Sequence, residues 1–87
     1  MRLTQTESDQ LVAGRIAAEV RAEIARQGIS QQALAERLGW LQNRLSRRIT
    51  DGKTSVPFTV VELAAVAAAL GVPLTQFLPA EAVASAA

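Results

Sequence analysis

The sequence predicts an all-α fold, a compact bundle of five helices, and three observations carry that prediction. Alanine, leucine and valine dominate while the aromatic residues are only Trp40, Phe58 and Phe77, a balance that favours helix over sheet. Large apolar residues recur at intervals of three and four, the period of a helix with one buried face. Gly28, Gly39 and Gly71 follow such stretches, where a left-handed residue closes a helix. A chain of 87 residues, 49% of them hydrophobic and 20% charged, suits one folded domain with its own core.

The first helix is predicted to start near Ser8 as N-cap, leaving residues 1–7 as an N-terminal arm. Val12, Ile16, Val20 and Ile24, spaced four apart, form its apolar stripe, and Gly28 ends it. Arg15, Glu19, Arg21, Glu23 and Arg26 lie off that stripe and read as a solvated face. Ser30 caps the second helix, which runs to about Leu38 with Leu34, Ala35 and Leu38 inward. After the turn Gly39-Trp40-Leu41, a third helix from about Gln42 to Ile49 turns Leu45 and Ile49 inward, and Thr50-Asp51-Gly52-Lys53 is a turn. Pro57 and Thr59 mark the start of the fourth helix. There Val60, Leu63, Val66, Ala67 and Leu70 repeat at three and four, so a helix apolar almost all round is predicted to be the most buried. Gly71 and Pro73 end it, and a short fifth helix around 74–78 places Phe77 and Leu78 at the bottom of the core. The domain thus spans 8–78, followed by an alanine-rich tail over 79–87 with too little large apolar surface to anchor itself firmly.

Charge is distributed unevenly. Residues 37–53 hold Arg37, Arg44, Arg47, Arg48 and Lys53 against Asp51 alone, while the whole chain nets only +1. A basic face on a small helical domain is the footprint of a surface that sits on phosphates. Other chemistries find little support. Without cysteine or histidine there are no disulfides, no thiolate metal sites and none of the commonest general base, so catalysis would rest on scattered carboxylates. No nucleophile–base pair, phosphate loop or metal cluster is visible, and the expectation is a non-enzyme with no cofactor, no metal and no small-molecule ligand. No apolar run approaches the roughly 20 residues of a membrane span, and Met1 to Gln10 is too polar for a signal peptide, which predicts no membrane partner and a cytoplasmic location.

Two helices joined by a short glycine-containing turn form a helix-turn-helix when they cross steeply, and the second then enters the major groove, about 12 Å wide. Gln42 and Asn43 suit adenine, Arg44 and Arg47 suit guanine, and positions 43, 44 and 47 share one helical face. Gln31 lies in the first turn of the preceding helix, where backbone N–H groups favour a phosphate oxygen; Lys53 and Thr54 follow the turn, within reach of the flanking backbone. Capping polarity for Gln42 and Asn43, an ordinary first-turn role for Gln31, and a merely solvated basic face for Arg44, Arg47 and Arg48 stand beside these readings. Trp40 is open in the same way, between packing under helices two and three and touching sugar or base edges.

Gly28-Ile29-Ser30-Gln31-Gln32-Ala33-Leu34-Ala35, Gly39, Leu45-Ser46-Arg47, Gly52-Lys53 and the helix after Pro57 ending in Ala69-Leu70-Gly71-Val72 resemble, in order and spacing, the phage repressor and Cro-like (xenobiotic-response-element type) helix-turn-helix family of transcription regulators. The resemblance covers about Ile16 to Leu78. It implies a five-helix bundle whose helices two and three bind a double-stranded DNA operator, with Gln31 and Ser30 toward phosphate and Gln42, Asn43 and Arg47 toward bases. One such module makes few contacts, so a homodimer is expected, formed in solution or only on DNA. Helices four and five with the tail are candidates for its interface. Two departures are visible: Leu41 stands where the family has a small polar cap, and one extra residue precedes Gly52, which would let helix three run a turn longer and bring Arg48 to the DNA backbone. The competing function is an antitoxin or other protein-interaction module on the same bundle, using exposed apolar residues such as Leu3, Phe58 or Phe77.

Overall fold

The computed structural model describes residues 4–50 and 56–79. Their order is α1 (Gln5–Gln27), α2 (Gln31–Leu38), α3 (Gln42–Ile49), α4 (Val60–Leu70) and a 3-10 turn (Leu74–Phe77), with no strand among the described residues. Leu3, Asp51, Gly52, Lys53, Thr54 and the tail after Pro79 lie outside them. The fold is therefore all-helical, with four α-helices among the described residues where five were expected. The fifth element is a single 3-10 turn, closed by Gln76 N–H to the Pro73 carbonyl at 3.0 Å and Leu78 N–H to the Thr75 carbonyl at 3.2 Å. Pro79 holds Leu78 extended, at φ −88° and ψ 125°, and so prevents a further turn.

Helix α1 starts earlier than the spacing suggested. Thr4 is its N-cap, with the hydroxyl oxygen accepting from Glu7 N–H at 3.1 Å, so residues 5–7 are helix and not arm. The Thr4-x-x-Glu7 spacing is a start signal that outranks Ser8. Helices α1, α2 and α4 all close in the same way. The N–H of the terminal glycine and of the next residue turn back to the last helical turn: Gly39 to Glu36 at 3.1 Å and Trp40 to Ala35 at 2.9 Å, with matching pairs at Gly28-Ile29 and Gly71-Val72. Each motif drives an apolar residue, Ile29, Trp40 or Val72, against the core. At Gly39 the φ of 70° is what lets α3 leave α2 within three residues, Gly39, Trp40 and Leu41.

The core is shared by every element: Val20 and Ile24 from α1, Leu34 and Ala35 from α2, Leu45 and Ile49 from α3, Leu63, Val66, Ala67 and Leu70 from α4, and Phe77 from the 3-10 turn. Helix α2 packs on both α3 and α4, while α1 backs α3 and the 3-10 turn. Ile16, Leu38 and Leu78 pack against the edge of this cluster. One expected member is missing from it: Val60 is 75% exposed, as Val61 is at 80%. The buried residues of α4 are Glu62, Leu63, Val66, Ala67 and Leu70, so at its start the inward position is taken by Glu62. Being apolar all round has not made α4 buried all round. No described helix is long and apolar enough to cross a membrane.

Candidate nucleic-acid interface

Helix α3 spans Gln42–Ile49, the range that its apolar spacing predicts. Leu41 takes the N-cap position without a side-chain hydrogen bond, and the helix ends at Thr50, not a turn later. Leu45 and Ile49 are fully buried and bolt the helix to the core, leaving Gln42, Asn43, Arg44 and Arg47 on the exposed side. Among the described residues, no side-chain hydrogen bond or ion pair engages Gln42, Asn43 or Arg47. Burial of i and i+4 on one face thus forces a polar, donor-rich row onto the other.

The remaining two arginines of α3 are held differently. Glu62, on the first turn of α4 and only 7% exposed, accepts from Arg44 Nη2 at 3.0 Å through Oε2 and from Arg48 Nε at 3.1 Å through Oε1. Arg48 also donates to the Arg44 carbonyl at 2.8 Å. The Arg44 guanidinium lies 4.2 Å from the centre of the Trp40 ring, a cation–π contact. Trp40 is half-buried against the core, so its role in the fold is packing beneath this arginine. Arg44 and Arg48, expected toward base and phosphate, are thus both engaged by Glu62: Arg44 keeps a side chain 45% exposed, whereas Arg48 is folded back beside α4, with a side chain 18% exposed.

Glu62 owes its place to the Thr59-x-x-Glu62 capping box: Thr59 Oγ1 accepts from Glu62 N–H at 3.0 Å and Glu62 Oε1 accepts from Thr59 N–H at 2.9 Å. Burial alone would raise the Glu62 carboxyl, but the Thr59 N–H and then the Arg44 and Arg48 guanidiniums outweigh it and bring the pKa down to about 2. Glu62 is thereby the anion that two arginines of α3 share.

Beneath α3, Arg21 donates to the Ile49 carbonyl and satisfies an end of the helix that has no partner of its own. Its neighbour Glu23 is buried as well, accepting from Arg26 at 2.8 Å and Gln27 at 2.9 Å, and also from Gln76. Those hydrogen bonds, Gln27 first and Arg26 next, hold the Glu23 carboxyl below its ordinary range against the effect of burial. The face of α1 that the sequence assigns to solvent is therefore half structural. Two tertiary contacts, Arg21 to α3 and Glu23 to the 3-10 turn, leave no local sequence signal, whereas the Thr59-x-x-Glu62 spacing is a local signal that could have found the cap though not its arginine partners.

At the entrance of α2, Ser30 Oγ accepts from Ala33 N–H at 3.0 Å, so its oxygen serves the helix as N-cap. Gln31 follows it, exposed at the helix start and free of side-chain hydrogen bonds among the described residues. Lys53 and Thr54, expected on phosphate, lie outside the described residues. The chain matches no family model, no curated protein and no solved structure. Exposed polar groups stand on two packed helices, Gln31 at the start of α2 and Gln42, Asn43 and Arg47 along α3, with Arg44 and Arg48 clasped on Glu62.

Proposed function

We propose that this protein is a sequence-specific double-stranded DNA-binding regulator of the repressor or Cro-like type, acting in the cytoplasm. The observation that carries the reading is the row of Gln42, Asn43 and Arg47, exposed and with no side-chain partner among the described residues, on a helix whose Leu45 and Ile49 are fully buried. These are the side chains whose donor and acceptor pairs match base edges in the major groove, and a helix bolted down by Leu45 and Ile49 presents them without a large ordering cost. Gln31 and the helix start beside it suit a phosphate oxygen, and the basic segment supplies counterion release, which sets much of the affinity. One such module makes few contacts, so tight binding calls for a homodimer on a two-fold operator with half-sites a helical turn apart. Repression then follows from occupying a promoter.

A gel-shift titration with duplex DNA of random sequence and with sites selected from a random library, at two salt concentrations, tests this. Retention that falls with salt, together with selected sites that Gln42→Ala, Asn43→Ala and Arg47→Ala discriminate poorly, is expected. No retention at low salt rejects the reading.

A second reading, a protein-interaction module such as an antitoxin, is favoured by different residues from those its sequence suggested. Phe77 is fully buried and Phe58 half-buried, while Leu41 at 78%, Val60 at 75% and Val61 at 80% are the most exposed large apolar groups described. Stoichiometric retention of a protein ligand that Val60→Ser and Val61→Ser abolish, without DNA retention, would favour it.

A further inference from the structure

The clasp on Glu62 has a consequence for selectivity that depends on the DNA-binding reading. Of the four arginines from 37 to 48, two meet the same buried carboxylate, so one negative charge offsets part of the basic surface from within. The two are not held equally. Arg48 reaches Glu62 with 18% of its side chain exposed and is tied again to the Arg44 carbonyl, whereas the Arg44 side chain is 45% exposed, resting on Trp40. Arg44 can therefore swing outward while Glu62 stays in place, fixed by Thr59 and by Arg48. A phosphate and the Glu62 carboxylate offer this guanidinium the same chemistry, an anion with two oxygens that accept its N–H groups.

We propose that Glu62 is a specificity-determining residue that competes with DNA phosphate for Arg44. By keeping that arginine engaged on sequences where Gln42, Asn43 and Arg47 find no matching bases, it lowers affinity for non-cognate duplex. It does so without touching DNA, by withholding a phosphate contact that carries no sequence information. Affinity that depends on phosphate alone is weakened, while affinity that depends on base edges is left intact, and the ratio between the two rises.

The test is Glu62→Gln, which keeps an acceptor for the Thr59 N–H, a glutamine being an accepted partner in a capping box, and removes only the charge. Wild type and variant are titrated with a labelled random-sequence duplex and a selected site across a salt series, with circular dichroism and denaturant unfolding recording that both are folded. The variant is expected to bind random duplex about fivefold more tightly near 0.1 M salt, with the slope of log K against log salt steeper by about one, as one more phosphate contact requires. Affinity for the selected site should rise less, so that discrimination narrows, and Glu62→Gln with Arg44→Gln should return the random-duplex slope to its wild-type value. Unchanged or weaker binding of random duplex by the folded variant overturns the competition while leaving the DNA reading standing. If neither wild type nor variant is retained on any duplex at low salt, the DNA reading fails and this inference with it. A variant that does not fold is replaced by Arg44→Gln alone, which should leave the random-duplex slope at its wild-type value; a shallower slope there overturns the proposal, because Arg44 would then already be on phosphate.

Discussion

Helices α3 and α4 treat their charges in opposite ways. In α3, two apolar residues are buried and Gln42, Asn43, Arg44 and Arg47 are exposed, as amphipathic spacing demands. In α4, every residue but Glu62 is apolar, yet Glu62 is buried while Val60 and Val61 are exposed. The difference shows that hydropathy selects a face only where the sequence offers a contrast. Helix α3 has a contrast, so its orientation is dictated. Helix α4 has almost none, so neighbours, capping and an ion pair decide which side goes in, and they draw a carboxylate inward because Thr59, Arg44 and Arg48 satisfy it.

This contrast yields measurable expectations. Leu45→Ala, at a fully buried site on α3, should cost about 2–5 kcal/mol in denaturant unfolding, the range for cavity-forming core truncations. Arg47→Ala should leave that unfolding curve nearly unchanged and instead lose about 1–3 kcal/mol of binding to a selected DNA site, relaxing preference at one base pair. A loss spread evenly over all sequences would assign Arg47 to phosphate.

Glu62→Ala should cost about 1–2 kcal/mol, since it removes half of a capping box and strands Arg44 and Arg48 at the surface. The acid limb of stability provides a second check on it. A carboxyl lowered in the folded state from 4.5 to about 2 contributes stability that is complete above pH 4.5 and disappears as pH falls toward 2. Glu23, also lowered, adds to the same slope with the same sign. Glu62→Gln should flatten the fall in unfolding free energy between pH 4.5 and 2, as followed by circular dichroism; an unaltered slope would mean the clasp is not formed in solution.

Gly39→Ala should cost about 1 kcal/mol, because its φ of 70° is disfavoured for alanine although nothing within 4 Å would meet the added methyl. Smallest of all, Val61→Ser on the exposed side of α4 should change stability by less than about 0.5 kcal/mol. A larger effect in dilute protein, or one that grows with protein concentration, would show that this side is covered in solution.

How far the chain could be read in advance follows from where each signal lies. The bounds of α2 and α3 were legible because Ser30, Gly39 and the Leu45–Ile49 spacing are local. The start of α1 was misplaced since two capping candidates compete within five residues and Glu7 favours Thr4. The row Gln42, Asn43 and Arg47 is where amphipathicity put it. Arg44 and Arg48 were assigned by that same rule to the same open surface, and a residue 14 to 18 positions away engages both, leaving Arg44 exposed and folding Arg48 back.

Periodicity and terminal chemistry, which act over three to five residues, were enough to specify an all-helical chain, the turn between α2 and α3, and the outward direction of the polar row. Contacts between distant segments specified the rest: Glu62 closing on two arginines, Arg21 completing the end of α3, Glu23 tying α1 to the 3-10 turn, and the exposure of Val60 and Val61. The physical reason is that a charge is stable wherever its partners are, and partners brought together by packing leave no trace in local spacing.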